Sequence, residues 1–405
     1  MSLKRIFRWI NALRVQFARR KGKGRLQFNA GRVRRLFVDV SVVSKSDAGT
    51  GIQRVVRNIG ERLIGDPPAG WDVIPVAATR KRGFREIAWP VTVQGEFGEL
   101  MAGHPGDIFI GLDFSLDAIY LHARQLRSFK RCGGTLWFLM YDLLPLNNPD
   151  WFSDRMVLRF RRWIRVLASY GDAFFCISPV VRDALLHALD DLYHVSEGLQ
   201  TYVIPMGVDM LTAGDGGAAV DCQARKENLF LNESFVLMVG TIEPRKAHAD
   251  VLAAFEVLWS QGVQTKLVLV GRRGWQMESF EEVLLNHEMI NVYLFWLEAA
   301  TDELLVHLYR ECEGVIAASY AEGFGLPLIE ALAFGKRVLA RDIPVFRLQE
   351  PWGVCYFDAN ADKYGLAKVI QTWLKSDVQS KSDAVKQVYS WENAVLGLTS
   401  QLPMD

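Results

Sequence analysis

The sequence predicts an α/β protein of two doubly wound domains, each a mainly parallel sheet covered by helices on both faces. Three observations lead there. A length of 405 residues exceeds what one hydrophobic core normally organises. Short apolar runs of strand length alternate with amphipathic helical stretches, the pattern of a parallel sheet buried on both sides. Around residues 206–232 that alternation lapses into Gly- and Ala-rich sequence containing Gly214, Gly216 and Gly217, and then it resumes. Half the residues are hydrophobic and 23% are charged, which fits a folded chain with ample core.

The first element is basic. Leu3, Ile6, Phe7, Ile10, Leu13 and Phe17 recur at helical spacing, while Lys4, Arg5, Arg8, Arg14, Arg19, Arg20 and Lys21 lie between or after them. Residues 1–35 hold 12 of the 47 Lys and Arg and no Asp or Glu, leaving 35 basic against 46 acidic residues, a net of −11, in the remainder. The positive charge is therefore an N-terminal appendage. Over residues 1–25 the pattern fits an anionic membrane surface, with Trp9 at the interface. The plainer readings are a helix docked on its own protein or a flexible basic tail. Nucleic acid is a poor partner, because the net-acidic body continues no basic surface.

From residue 36 the α/β pattern begins. Residues 36–40 read as a buried strand, followed by a loop with Gly49, Thr50 and Gly51 and a helix over 52–63. Strand-like runs follow at 72–77, 107–112, 135–141, 173–177 and 201–204, with helices over 154–170 and 179–189. The second series has strands at 235–240, 266–271, 292–296, 314–318, 337–340 and 354–357. Its helices fall near 249–260, 279–287, 302–312 and 327–334, and a last helical segment, 391–402, is expected to pack back on the first domain. The halves share architecture without a convincing sequence repeat. Cys132, Cys176, Cys222, Cys312 and Cys355 are far apart, so neither a zinc site nor a disulfide framework is expected, and a reducing cytoplasm fits. No apolar run approaches bilayer length and the N-terminus lacks a secretory apolar core. A soluble or peripheral protein is expected.

Ligands of doubly wound sheets bind beyond the C-terminal ends of strands. After strand 235–240 stand Arg245 and Lys246, two cations entering a helix N-terminus against its dipole, a conflict that a bound diphosphate would resolve. After strand 266–271 stand Arg272 and Arg273, either nucleotide contacts or an exposed basic loop. After strand 314–318 comes Glu322-Gly323-Phe324-Gly325-Leu326-Pro327, where a Gly-rich turn feeds a helix N-terminus suited to phosphate. Glu330, one turn inside that helix, suits a pair of hydroxyls such as those of a ribose or hexose.

The run Val239 to Lys246 (Val-Gly-Thr-Ile-Glu-Pro-Arg-Lys), followed by Glu322 to Pro327 and Glu330, resembles the donor half of retaining glycosyltransferases of family 4. The first half agrees less densely, through Thr50 to Val55, Tyr141 to Pro145, Ile177-Ser178 with Asp183, and Ile204 to Asp209. The resemblance implies the GT-B fold, two Rossmann-like domains facing each other across a cleft. It implies an acceptor domain over 36–208 with 386–405 packing back on it, a linker over 209–232 and a donor domain over 233–385. It further implies that Arg245 and Lys246 clamp the nucleotide diphosphate, that Glu330 binds ribose hydroxyls and that Glu322 orients hydroxyls of the transferred sugar. Backbone N–H groups around Gly323, Phe324, Gly325 and Leu326 would assist at the phosphate, joined by Arg272 and by Gly51 from the first domain. Gly49, Thr50, Tyr141 and Asp142 would form the acceptor side, Asp142 facing the transferring sugar. The catalytic set is then Glu322, Asp142, Arg245 and Lys246. Asp39 either helps to shape the same cleft or serves as a strand-end turn residue.

Two departures bear on this. Many relatives have His-Asp where this chain has Tyr141-Asp142, and a tyrosine of pKa near 10 is a poor proton shuttle, so Tyr141 is assigned to positioning. Ala247 stands where an Asn often follows the Arg-Lys pair, which would loosen the loop. His248 beside it reads as a helix-start residue rather than a ligand. No metal or other cofactor is expected, since the cations and a helix dipole can neutralise a diphosphate. The expected activity is retaining transfer of a hexose from a nucleotide diphosphate sugar, GDP-mannose as first choice, to a hydroxyl of a lipid-linked or growing glycan in bacterial surface polysaccharide synthesis. Rhamnosyl or glucosyl transfer, a nucleotide-sugar epimerase and an inactive scaffold are the alternatives. A dehydrogenase is disfavoured because no Gly-x-Gly-x-x-Gly turn follows the first strand of either domain. The expected location is the cytoplasm, at the inner face of its membrane. Oligomeric state is open.

Overall fold

The structure, a computed structural model, describes residues 3–21, 32–47, 49–90, 97–195, 199–208, 233–376 and 381–403. The expected linker 209–232 lies outside the described residues. Two compact units divide the chain, residues 1–207 with 391–405 and residues 208–390.

The first unit runs α1 (Leu3–Lys21), β1 (Arg34–Asp39), α2 (Gly51–Gly65), β2 (Trp71–Ala77), β3 (Arg85–Ile87), β4 (Phe97–Leu100), β5 (Ile108–Gly111), α3 (Leu116–Leu121), α4 (Ala123–Arg131), β6 (Thr135–Met140), α5 (Leu144–Asn147), α6 (Asp154–Tyr170), β7 (Ala173–Cys176), α7 (Pro179–Tyr193) and β8 (Gln200–Val203). Its sheet has the order β4-β3-β2-β1-β5-β6-β7-β8, parallel throughout except for β3 and β4. Strands β5 and β7 are buried at every residue, as a sheet covered on both faces requires. Local chemistry sets the helix starts. Thr50 and Gln53 form a reciprocal capping box on α2, and Ser153 and Ser178 cap α6 and α7. The antiparallel β3 and β4 were not expected, being short, half-exposed and without an apolar alternation. Helices α3 and α4 were likewise missed, since six and nine residues give too little length for a helical period.

Helix α1 docks on its own protein. Ala12 and Val15 are buried, Arg19 donates to the carbonyls of Ala168 (2.9 Å) and Gly171 (3.1 Å) at the end of α6, and Gln16 donates to the His194 carbonyl after α7. Leu13 and Phe17, two members of the apolar stripe, are 44% and 59% exposed. These two therefore lie off the face that packs, which carries Ala12 and Val15.

The second unit runs β9 (Phe235–Val239), α8 (His248–Ser260), β10 (Lys266–Val270), α9 (Glu278–Leu285), β11 (Leu294–Leu297), α10 (Asp302–Glu311), β12 (Gly314–Ala317), α11 (Leu326–Ala333), β13 (Arg337–Arg341), α12 (Pro344–Arg347), β14 (Val354–Phe357), α13 (Lys363–Leu374) and α14 (Ser382–Val388). Its parallel sheet has the order β11-β10-β9-β12-β13-β14. Its core joins β9, β10, α8 and α13 through Val236, Leu267, Phe255, Ile370 and Trp373. Each such side chain contributes about 1.5–3 kcal/mol on burial. Helix α13 was missed although Leu366, Ile370 and Trp373 repeat at helical spacing, and α14 was missed with it.

The return to the first unit begins at Trp391, where the expected helical segment 391–402 starts, rather than at residue 386. Before it, Tyr389 is held in the second unit by a hydrogen bond to Gln349 Oε1 (2.9 Å) and by ring contacts to Phe324 and Trp352. Helix α15 (Trp391–Thr399) then buries Trp391, Ala394 and Leu398 in the first unit.

Candidate active site

In the second sheet, successive strands progress outward in both directions from β9 and β12, which lie side by side. A sheet of this order opens a ligand crevice beyond the C-terminal ends of those two strands. The two loops there are 240–247 and 318–325, the pair that carries the Arg-Lys and Glu-Gly-Phe-Gly motifs. The loop after β10 lies against the first of them, through Ile242 N–H to the Arg272 carbonyl (2.9 Å). A Cβ on Gly271 would sit 1.9 Å from the Gly240 carbonyl oxygen, so only glycine permits this approach.

The charges in the crevice are paired. Lys246 Nζ lies 2.5 Å from Glu322 Oε1, and Arg245 binds Glu322 Oε2 (2.8 Å) and Glu243 Oε1 (2.6 Å) with its two terminal nitrogens. Ser319 Oγ donates to Glu322 (2.8 Å), and Arg245 also donates to the Ala321 carbonyl (3.3 Å). The side chains of Arg245, Lys246 and Glu322 are only 17%, 11% and 10% exposed, so these contacts are weakly screened. Burial pushes the Glu322 carboxyl up, but Arg245, then Lys246 and the Ser319 hydrogen bond outweigh it and hold the group at about 2. Glu322 is thus an anion and a hydrogen-bond acceptor at any working pH. Glu243 and Glu322 compensate the two cations at the start of α8. These two glutamates and two cations sum to zero charge.

Ala247 follows the Arg-Lys pair at the end of this loop. That residue holds a left-handed conformation (φ 57°), which Asn or Gly adopts more readily, and it is buried. His248 follows at the start of α8, 1% exposed, with neither ring nitrogen meeting a partner among the described residues. Burial, then Lys246 and Arg245, push its pKa down to about 3, so the ring is neutral and takes no part as an acid near neutral pH.

Gly325 precedes α11 in the left-handed region (φ 88°), and a Cβ there would meet the Phe346 ring at 2.6 Å. No side chain caps α11, leaving its first turn with the N–H groups and partial positive charge that suit an anion. The Phe324 side chain is buried against Tyr389, so only its backbone can serve a ligand. Lys246, Ser319, Glu322, Gly325 and Phe346 line one crevice. Glu330 lies deeper, 3% exposed, with Oε2 accepting a 2.7 Å hydrogen bond from the Tyr309 hydroxyl. Of the loop after β10, Arg273 is committed to Glu281 and Glu298, whereas the exposed Arg272 side chain meets no charged partner among the described residues.

In the first sheet, β1 and β5 are the corresponding adjacent pair. Gly49 (φ 65°), Thr50 and Gly51 are exposed on the loop after β1, where Gly49 N–H bonds Asp47. Asp142, half-buried after β6, accepts from Leu144 N–H (3.1 Å). Tyr141 is buried and its hydroxyl donates to the Leu112 carbonyl (2.7 Å), so its side chain serves the core and reaches no acceptor. Burial, then Asp113 and Asp39, push its pKa further up. Asp39 is fully buried and accepts from Ser41 N–H, Ser41 Oγ and Ser115 Oγ, the strand-end turn role rather than a cleft-lining one. Beside it Asp113 accepts from the N–H groups of Val42 (2.6 Å) and Val43 (2.8 Å), fixing the start of the loop that ends in Gly49 to Gly51. Burial raises both carboxyls, and for Asp39 the Asp113 charge adds to it.

The sequence reading missed Glu243, Ser319, Asp113 and Tyr309. Glu243 lay inside the run Val239 to Lys246 without being given a role, and Ser319 adjoined the strand 314–318. Asp113, just after a buried strand, carried the same signal as Asp39.

Residues 221–391 match the family Glycosyl transferases group 1. Over 382 residues, 92% of this chain and 46% of the relative, the chain is 34% identical to the serotype-specific mannosyltransferase WbdA of Escherichia coli. Over 224 residues, 55% of this chain and 57% of the relative, it is 30% identical to the O-antigen chain mannosyltransferase RfbU of Salmonella typhimurium. The chain therefore spans about half the length of the curated relatives it matches. Its fold is similar to sucrose-phosphate synthase of Thermosynechococcus elongatus, with a TM-score of 0.63, 18% identity and coverage of 91% of this chain and 98% of that one. It is also similar to HepE of Anabaena in complex with UDP and glucose, with a TM-score of 0.56, 14% identity and coverage of 91% and 95%. Both units are Rossmann-like, as the GT-B class requires. The match to the glycosyl transferases group 1 family falls across the unit that carries the paired charges.

Proposed function

We propose that the protein transfers a hexose from a nucleotide diphosphate sugar to a hydroxyl of a growing or lipid-linked glycan. The observation that carries this reading is the ion-pair cluster at the β9/β12 crevice: two cations held on Glu322 beside the uncapped start of α11. An incoming diphosphate competes for Arg245 and Lys246, and the α11 N-terminus supplies a further anion site. Glu322, released from its cations, is then an acceptor for sugar hydroxyls, and Glu330 serves the ribose. In a retaining transfer the acceptor oxygen bonds to the anomeric carbon as the sugar–phosphate bond breaks. The departing phosphate oxygen takes the acceptor's proton while the cations stabilise its charge. Mannose from GDP-mannose is the favoured donor, because the relatives named above are mannosyltransferases. The polysaccharide setting is drawn from the same names.

The test is GDP-mannose labelled in the sugar, incubated with and without a lipid-linked glycan primer. The expected result is label passing to the glycan, with sugar leaving GDP only when primer is present. Release or isomerisation of the sugar without primer would favour the epimerase alternative.

A membrane-surface role for α1 at the cytoplasmic face belongs to the same proposal. No described helix is long and apolar enough to cross a membrane. The exposed Leu13 and Phe17, with Arg14 exposed between them, fit a contact with an anionic bilayer. Deleting the helix would also remove the buried Ala12 and Val15, so the informative variant is Leu13→Glu with Phe17→Glu. It is expected to lose flotation with phosphatidylglycerol vesicles while keeping the wild-type melting temperature. Unchanged flotation would remove the membrane role.

A further inference from the structure

Beneath the helix that carries Glu330 lies a tyrosine for which the donor reading has no use. Tyr309, in the last turn of α10, is fully buried, and its ring stacks on Phe334 with centroids 5.3 Å apart and planes 8° from parallel. Its hydroxyl is 2.7 Å from Glu330 Oε2 and 3.4 Å from the Pro327 carbonyl. A phenol carries one hydrogen, and the shorter, better contact assigns it to the carboxylate. The stacked ring fixes where the hydroxyl sits, and the hydroxyl fixes how the carboxylate is turned. The last torsion of a glutamate is otherwise broad. The contrast with Tyr141 is informative, because that buried hydroxyl is satisfied by a backbone carbonyl. Tyr309 instead places its hydrogen on an ionisable side chain that is itself 3% exposed, a costly group to bury for stability alone.

We propose that Tyr309 is a positioning residue for nucleotide recognition: its hydrogen bond holds the Glu330 carboxylate in the orientation that accepts the ribose hydroxyls. The proposal rests on the donor reading above. Tyr309 touches no ligand itself and acts through Glu330. Its removal therefore alters the discrimination between ribose and deoxyribose more than the affinity for the rest of the nucleotide.

The test is calorimetric titration of GDP, 2′-deoxy-GDP, UDP and 2′-deoxy-UDP into wild type, Tyr309→Phe and Glu330→Gln, with melting temperatures measured alongside. Wild type is expected to prefer the ribonucleotide about tenfold or more, the scale of one hydrogen bond to a charged group. In Tyr309→Phe that ratio is expected to fall to about threefold or less, with affinity for the deoxynucleotide within about twofold of wild type. Glu330→Gln should lose the preference too. A Tyr309→Phe protein that melts earlier but keeps the wild-type ratio, while Glu330→Gln loses it, overturns the positioning role alone. A ratio kept in both variants, or absent in wild type, overturns the ribose role of Glu330. Failure of wild type to bind either nucleotide overturns the donor reading itself.

Discussion

Glu322→Gln is expected to lower sugar transfer by about a hundredfold or more while leaving the fold intact, the scale on which single preorganised polar groups act in catalysis. The carboxylate has two tasks that an amide cannot perform. It neutralises Lys246 and Arg245, and in the proposed mechanism it is the anion that accepts sugar hydroxyls once a diphosphate takes those cations. The pH behaviour follows from the same contacts. The carboxyl is depressed from an ordinary value of 4.5 to about 2, so the ion-pair contribution to stability is present in full above pH 4.5 and is lost as the pH falls towards 2. That contribution is of the order of 3 kcal/mol. Wild-type turnover in the Gln variant, measured at saturating donor, would remove Glu322 from the mechanism.

Arg341→Ala is expected to destabilise the second unit by about 3 kcal/mol, or roughly 6–12 °C in melting temperature. Arg341 ends β13 and is 2% exposed, yet it makes no contribution that a sequence pattern would reveal. Its guanidinium donates to the Ala318 carbonyl (2.7 Å), to Asp250 Oδ2 (2.7 Å) and to the Ala359 carbonyl, and it lies over the Tyr320 ring at 4.2 Å. Tyr320 in turn donates to Asp250 with its hydroxyl and to the Arg245 carbonyl with its N–H. One buried cation thus ties the ends of β12 and β14 to the first turn of α8, and through Tyr320 to the loop that carries Arg245. Asp250 is 34% exposed and recovers water when the arginine is lost, which keeps the expected cost at the lower end for a broken buried pair. Chemical denaturation checks the figure, and a loss below about 1 kcal/mol would show that the network adds little.

The strands of both sheets were legible because their apolar runs are nearly continuous, and α6 because Ser153 and Gly171 bracket a full amphipathic period. Most elements that escaped were short or polar, such as β3, β4 and α3, where propensity and period give no signal, whereas α13 was missed despite its helical period. The clustering of the candidate residues was legible because strand ends in a doubly wound sheet confine where chemistry can sit, and the structure brings Lys246, Glu322 and Gly325 to one crevice with Arg245 paired to Glu322. What the sequence did not disclose was pairing. Arg245 and Lys246 meet Glu243 and Glu322, two carboxylates distant in sequence from one another and brought together by the β9/β12 adjacency. The core-facing side chain of Tyr141 was hidden for the same reason, since a residue at a strand end can point into the core as readily as into a loop. In α1, Leu13 and Phe17 show the converse, two apolar residues left exposed while Ala12 and Val15 make the packing contact.

The most direct test is the affinity of GDP for wild type, Lys246→Ala and Glu322→Gln by calorimetry. If the diphosphate displaces Glu322 from the cations, Glu322→Gln should bind GDP as tightly as wild type or more tightly, because nothing competes for Arg245 and Lys246. Lys246→Ala should bind it about tenfold or more weakly. Weaker binding in Glu322→Gln together with wild-type affinity in Lys246→Ala would contradict the exchange of cations between Glu322 and the donor.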